Sequence, residues 1–403
     1  MKVALIHNLY GIYSRGGAET VVEMMAADFK KAGHEVFLIT TKPRKTATDG
    51  EKPTDENNGL KIYYLNSKFY NLAELSALPR LFWHLGNIFS FRKYAQIKKI
   101  LKKEKPDLVV THNLMGLGFM VPAAIRNLKI KHEHFLHDIQ LLHPSGLMLW
   151  GQEKKISGLS AKIYRLLTRA LFAPPEKIIS PSRWLLDLHN QYGFFKNSEK
   201  EIQPFAWPEA QTSSNLDQPT MQTAPDPNQP ATQTASRSGQ PVTQTASDQA
   251  GPAESALIKP KQKIKKFLFI GQIEKQKGIF LLIKAFKKIS NPDIKLTIAI
   301  RGGGASMAAA KEAATGDKRI SFIGPLSYEE AEKIKAANDC LIVPSLCYEN
   351  SPTVIYGARA AGLRVIAANL GGIPEIIGTN DKLFKPGDEA DLQRKIMEMI
   401  GEV

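Results

Sequence analysis

Between Glu209 and Gln262 the chain stops reading like a globular protein. Its composition collapses to Gln, Thr, Ala, Ser, Pro and Asp, and the tripeptide Gln-Thr-Ala returns at 222–224, 233–235 and 244–246. Such a tract has too little apolar surface to offset the entropy of ordering it, so the sequence predicts a disordered linker over 209–262. A flexible linker of about 50 residues spans on the order of 40 Å, enough for its two flanks to move independently. The folded part must then divide into two units, residues 1–208 and residues 263–403.

Both units read as α/β. The first opens with an apolar strand at residues 2–7, a glycine-containing loop from Gly11 to Gly17, and a helix from Ala18 to Ala32. That helix places Val21, Val22, Met25 and Phe29 at helical spacing, with Gly33 as its terminator. A second strand follows at Glu35 to Thr40, and a β-loop-α-β unit implies parallel strands with a right-handed crossover. Continuous apolar strands recur at Leu108 to Thr111, His134 to Leu136 and Lys177 to Ile179, as expected of a parallel sheet buried on both faces. The second unit repeats the scheme, with strands at Lys266 to Gly271, Lys295 to Ile300, near Ile320, at Cys340 to Val343 and at Arg364 to Ala367. A helix is expected from Gly278 to Ile289, and a glycine loop at Gly302 to Gly304. The expected architecture is two doubly wound domains whose ligands bind at the carboxyl ends of the strands, in a cleft between them.

Composition narrows the function classes. Of 403 residues, 43% are hydrophobic and 23% charged, which fits a water-soluble globular chain. No apolar run reaches the ~18 residues a bilayer span needs, and the first residues read as a strand rather than a secretory signal, so a cytoplasmic location is expected. Two cysteines, Cys340 and Cys347, give no disulfide framework and no metal-ligand spacing. The net charge is +15 and uneven: ten lysines stand against the single acid Glu274 between Lys259 and Lys288. A second basic run holds Arg92, Lys93, Lys98, Lys99, Lys102, Lys103 and Lys105. These runs suit either solvated helix faces or a polyanionic partner, and since no nucleic-acid-binding motif is present, a membrane surface or a phosphorylated substrate ranks above nucleic acid.

Four constellations sit at strand-to-helix junctions. Gly16-Gly17-Ala18-Glu19 precedes the first helix, where adjacent glycines let backbone amides approach a phosphate or sugar, or simply make a tight turn. Gly271-Gln272-Ile273-Glu274-Lys275-Gln276-Lys277-Gly278 carries Lys277 to the start of a helix, where a point charge reaches a diphosphate or stays on the surface. His137-Asp138 follows a strand, and its histidine serves either a site or the core. Glu349-Asn350-Ser351-Pro352-Thr353, with Gly371-Gly372-Ile373-Pro374-Glu375 behind it, sets an acid ahead of a proline suited to the first helical turn. The free amides and positive end of such a helix can seat a phosphate, with Glu349 accepting from sugar hydroxyls or merely capping the helix.

In their order and spacing these motifs resemble the family-4 retaining glycosyltransferases of the GT-B fold. The likeness covers residues 1–208 and 263–395. The family's Gly-Gly-x-Glu is matched by Gly16, Gly17 and Glu19, and its His-Asp by His137 and Asp138. Its phosphate loop is matched in part by Gly271, Lys277 and Gly278. Its Glu-x-x-Pro is matched by Glu349 and Pro352, and its Gly-Gly-x-Pro-Glu by Gly371, Gly372, Pro374 and Glu375. The resemblance implies transfer of a sugar from a nucleotide donor to a glycan or glycolipid hydroxyl in envelope polysaccharide synthesis, with retention of configuration. It implies His137, Lys277 and Glu349 as catalytic residues. Gly16, Gly17, Gly271, Gln272, Lys277, Glu349, Pro352 and Thr353 are implied to bind the donor, with no metal and no cofactor.

Three departures accompany the match. The family's second acid, eight residues after Glu349, is Gly357; the arginine of the phosphate loop is Gln272; and the sequence ends at Val403, before the helix by which members of the family usually cross back to the first domain. A weakened homologue that binds nucleotide sugar or glycan as a partner subunit, and a sugar-nucleotide epimerase of the same architecture, are the competing readings. The segment Leu78-Pro79-Arg80-Leu81-Phe82-Trp83-His84-Leu85, with Ile88, Phe89, Phe91 and the basic run after it, suits the interface of an anionic bilayer. It would equally suit a helix packed on the first sheet.

Overall fold

The structure, a computed structural model, describes residues 1–14, 16–43, 54–56, 59–172, 174–205, 264–300 and 306–402. The predicted linker and the Gly302–Gly304 loop lie outside them. The first sheet is built from β1 (Lys2–Ile6), α1 (Gly17–Lys31), β2 (Glu35–Pro43), β3 (Thr54–Glu56), β4 (Leu60–Ser67), α2 (Ala77–Ile88), α3 (Phe91–Glu104) and β5 (Leu108–Thr111). It continues through α4 (Val121–Asn127), β6 (Lys131–Phe135), α5 (Leu159–Phe172), β7 (Lys177–Ser180), α6 (Arg183–Gln191) and β8 (Glu199–Ile202). The second sheet comprises β9 (Lys266–Gly271), α7 (Ile279–Lys287), β10 (Lys295–Ile300), α8 (Met307–Ala314), β11 (Ile320–Ile323), α9 (Tyr328–Ala336) and β12 (Cys340–Val343). It closes with α10 (Thr353–Ala360), β13 (Arg364–Ala368), β14 (Lys382–Phe384) and α11 (Glu389–Ile400).

Strand order is β3-β4-β2-β1-β5-β6-β7-β8 in the first sheet and β11-β10-β9-β12-β13-β14 in the second. Every pair is parallel except β3 with β4. Apolar clusters cover both faces of each sheet. In the first domain Val3, Leu5, Leu38 and Val110 point one way and Ala4, Ile6, Phe37 and Val109 the other. In the second, Phe267, Leu296 and Ile342 oppose Leu268, Leu341 and Val365. Burial on both faces is why these strands read as unbroken apolar runs. The short strands β8 and β14 carry no such run and are not predicted, and β4 is missed although Ile62 to Leu65 form a buried apolar run. In β6, His132 and His134 occupy buried positions where apolar residues stand in the neighbouring strands, so this strand begins at Lys131, ahead of its predicted start.

Buried imidazoles have a thermodynamic consequence. Burial pushes His132 down to about 3 and His189 down to about 4 from an ordinary 6.5, and it also lowers His112, His134 and His137 well below that value. The unfolded chain takes up a proton on each below about pH 6.5 while the folded chain does not, so stability falls as pH drops from 6.5 toward 4. Urea midpoints measured at pH 7.5 and pH 5 should show a marked loss at the lower value. Equal midpoints would mean that the histidines are not buried neutral.

Candidate active site

The loops that follow β1 and β6 in one domain face those that follow β9 and β12 in the other, across a cavity of about 420 Å³. Gly16, Gly17, His137, Gly271, Gln272, Lys277, Glu349, Pro352 and Thr353 all line it, so the structure brings together every site residue singled out from the sequence. A smaller cavity of about 190 Å³ shares His137, Gln272, Lys277 and Glu349, and adds Asp138, Trp184 and Tyr348.

Lys277 ends a 3-10 turn, Lys275–Lys277, and Gly278 lies behind it at φ +75°. A Cβ there would fall 1.7 Å from the Pro344 carbonyl oxygen, so only glycine lets this turn lie against the end of β12. The Lys277 Nζ then lies 2.6 Å from Glu349 Oε1, and that oxygen also accepts from Ser345 Oγ at 3.0 Å. Burial alone would discharge both groups. For Lys277 the attraction of Glu349 outweighs burial and raises its pKa; for Glu349 the attraction of Lys277, with the Lys277 and Ser345 hydrogen bonds, outweighs burial and lowers it. Cys347 beside them is pushed up to about 12 by burial and by the Glu349 charge, which leaves it an inert thiol. The cavity thus holds a cation–anion pair beside the start of α10.

At that start the proline differs from expectation by one place. Pro352 is the N-cap residue itself, and the first helical position is Thr353. Pro352, Thr353 and Val354 line the cavity, with the positive end of the helix toward it. Gly17 faces Thr353 across the cleft so closely that a Cβ would approach its Oγ1 to 2.8 Å. The Gly16 amide is not free for a ligand: it donates to Glu19 Oε2 at 2.9 Å. Glu19 is held charged by His7 and by the Gly16 amide against the opposing effect of burial. Asp138 shows the reverse balance. Burial raises its carboxyl to about 7, although it accepts from the Gln140 amide at 2.7 Å and from Asn113. Gly357 sits on the buried side of α10, outside the cavity lining. Among the described residues no three His, Cys, Asp or Glu side chains converge as metal ligands would.

Residues given no role from the sequence join the two domains. Glu375, the acid of Gly-Gly-x-Pro-Glu, accepts from the amides of Arg183 and Trp184 at 2.6 and 2.7 Å. Those are the first amides of α6, which lack partners inside their own helix, so an acid from one domain caps a helix of the other. Ser182, the N-cap of α6, accepts from the Leu185 amide and donates to Asn350 Oδ1. Asn350 Nδ2 in turn donates to the Leu136 and His137 carbonyls at 3.2 and 3.4 Å. Gly372 lies at this seam, where a Cβ would come 1.9 Å from the Asn350 carbonyl oxygen. Trp184 and Tyr348 stack at 5.6 Å beside it. No composition or periodicity marks such contacts, because each is made by residues about 170 to 215 positions apart.

Comparison with known proteins follows this geometry. Residues 15–200 match the model for Glycosyltransferase Family 4, and residues 254–402 match that for Glycosyl transferases group 1. The chain belongs to this family of two-domain, GT-B glycosyltransferases. Among curated relatives, an uncharacterized 42.6 kDa protein in the cps region of Klebsiella pneumoniae is 29% identical over 205 residues, covering 50% of this chain and 54% of that protein. A D-inositol 3-phosphate glycosyltransferase of Mycobacterium sp. (strain JLS) is 30% identical over 161 residues, 38% of this chain and 36% of that protein. The chain therefore spans only about half, or about a third, of the length of these relatives. Of solved structures, sucrose-phosphate synthase from Thermosynechococcus elongatus superposes with a TM-score of 0.62 at 17% identity, over 100% of this chain and 90% of that one. An Anabaena protein, HepE, in complex with UDP and glucose gives 0.59 at 14% identity, over 100% and 90%. At such identities the likeness is one of fold.

The Glu375 cap yields a prediction. Replacing a charged acceptor of two amides costs about 1.5–3 kcal/mol where the contact holds the domains together. In Glu375→Ala, amide exchange at the start of α6 should quicken by on the order of tenfold or more, as read by hydrogen-exchange mass spectrometry, while β9 and β12 stay protected. Unchanged exchange there would mean that the contact contributes nothing to closure.

Proposed function

We propose that the protein is a retaining glycosyltransferase that moves a sugar from a nucleotide-sugar donor to a glycan or glycolipid hydroxyl in the synthesis of envelope polysaccharide. The observation that carries this reading is the Lys277–Glu349 pair beside the start of α10, facing His137 across one cavity. A nucleotide-sugar donor leaves a diphosphate whose negative charge grows in the transition state. A fixed ammonium and the free amides of a helix start are preorganised for that charge. Glu349, kept ionised, can accept from sugar hydroxyls, and His137 stands opposite it to contact the transferring ring. The envelope role is supported by the cps-region relative, and UDP as donor base by the UDP complex of a fold neighbour. Calorimetric titration with UDP-, GDP- and ADP-sugars tests the reading. Lys277→Ala should lose saturable binding to the preferred donor and about 3 kcal/mol of transition-state stabilisation. Unaltered binding and turnover would remove Lys277 from the site.

The acceptor side of this reading includes a membrane surface inside the cell. While α2 packs Trp83 and Ile88 on the core of the first domain, it leaves Leu78, Leu81, Phe82 and Leu85 exposed, with Phe89 and Phe91 after it. The adjoining α5 adds Leu159, Ile163 and Leu166, one stripe at helical spacing; Phe82 is 64% and Leu159 75% exposed. Residues 77–103 carry seven Lys or Arg and residues 154–172 five, with no acid in either stretch. An apolar face framed by lysines and arginines, in stretches that carry no acid, suits the headgroup region of an anionic bilayer. Among the described residues no helix is long and apolar enough to cross a membrane. The protein should sediment with anionic vesicles and not with neutral ones. A Lys98/Lys99/Lys102/Lys103→Glu variant should stay in the supernatant. Absence of binding by the parent would refute the surface.

A further inference from the structure

We infer that His112 fixes the tautomer of His137, making it a neutral hydrogen-bond donor toward the cleft. The sheet order sets β1, β5 and β6 side by side, and each strand is followed at its carboxyl end by a histidine: His7, His112 and His137. His112 Nδ1 and His137 Nε2 lie 2.8 Å apart. The His112 ring is fully buried, stacked at 5.7 Å on Phe135 and met edge-on by His7 at 5.8 Å. Its Nε2 finds no hydrogen-bond partner among the described residues.

Two neutral imidazoles joined at one short contact share a single proton along it. If His112 carries the proton on Nδ1, it donates to His137 Nε2, and what remains buried is a lone pair on His112 Nε2. In the opposite arrangement His137 donates, and an N–H on His112 Nε2 is buried with no acceptor. An orphaned buried N–H is the costlier of the two. The first arrangement wins, and a neutral His137 must then hold its proton on Nδ1, the ring nitrogen not engaged by His112. The second member of such a pair setting the tautomer of the first is a general property of histidine.

The charged states do not compete. Burial, and the facing imidazoles of His7, His134 and His137, disfavour a cation on His112, while burial and His7 disfavour one on His137. Glu19 answers His7, 3.9 Å away, and Lys277 with Glu349 lines the far side of the cavity. His112 touches no part of the cavity, so it is a positioning residue. Its effect on transfer rests on the function proposed above, in which a neutral donor can contact a sugar hydroxyl without adding a charge.

Histidine-selective ¹⁵N labelling reads the tautomer directly from the Nδ1 and Nε2 chemical shifts, whether or not a donor has been found. At pH 7.5 the parent should show His137 protonated on Nδ1. His112→Asn, whose amide N–H can stand where Nδ1–H stood, should retain that signature. His112→Phe, which fills the space without a donor, should move the proton to Nε2. Transfer assays on the same proteins should show kcat reduced by on the order of 10²-fold in His112→Phe, with the donor KM little changed and most activity kept by His112→Asn. An Nε2 proton on His137 in the parent, or an unchanged Nδ1 proton in His112→Phe, would overturn the inference. Loss of transfer in every protein with the expected shifts would instead refute the proposed function and leave the tautomer assignment standing.

Discussion

Glu349 and Asn350 are neighbours in sequence, and the organisation of the cleft depends on their side chains pointing to different domains. Glu349 turns back onto Lys277 of its own domain, which keeps both groups ionised at a depth where burial alone would neutralise them. Asn350 turns outward and holds the Leu136–His137 backbone and the Ser182 cap of α6. One short loop therefore couples the charge of the site to the closure of the domains. The Gly371-Gly372 turn lies directly behind it, with the Gly372 amide donating to the Glu349 carbonyl at 2.9 Å. Side chains at those glycines would strike the loop backbone, so the geometry of the pair and the geometry of the seam stand or fall together.

Electrostatics divides the two sides of the cleft. The second domain contributes a permanent ion pair and a helix dipole. The first contributes imidazoles held neutral by burial, a carboxyl, Asp138, raised to about 7 by the same cause, and one ionised acid, Glu19, held charged by His7 and the Gly16 amide. A polyanionic leaving group is served by fixed charge, whereas hydroxyl groups are served by neutral donors and acceptors that need no counter-ion. In the proposed reading the donor lies on the wall with the ion pair and the acceptor on the other.

How much of this was legible in the sequence depends on the kind of signal. Strands buried on both faces announce themselves as apolar runs, and β1, β5, β9 and β12 were placed to within a residue or two. The site residues were legible because strand-to-helix junctions put Gly17, Lys277 and Pro352 in motif order, and a doubly wound sheet brings such junctions to one edge. What could not be read was whatever depends on a distant partner. His132 lies outside the strand predicted at His134 to Leu136, and its burial comes only from β6 being flanked by β5 and β7. The exposed stripe of α5 looks like a core stripe until its other side is seen to be packed. Glu375 was recognised as part of a motif, yet its work is done on amides nearly two hundred positions upstream.

The two substitutions that set this chain apart from the family pattern carry different weight once placed. Gly357 lies on the buried side of α10, away from the cavity lining, so its lack of a side chain leaves the Lys277–Glu349 pair untouched. Gln272 lines both cavities, and in the proposed reading it leaves the diphosphate without the charge that the arginine of the family pattern would bring. Among the described residues of the larger cavity Lys277 is then the one Lys or Arg. The start of α10 adds positive potential worth roughly half an elementary charge. A site with fewer cations must rely on holding those it has in place, and that is what the Glu349 carboxylate and the glycine turn beside Pro344 do for Lys277. Pre-set geometry, with no reorganisation at the moment charge develops, is where electrostatic catalysis gains most. In the proposed reading the fixed position of Lys277 offsets the charge that Gln272 does not supply.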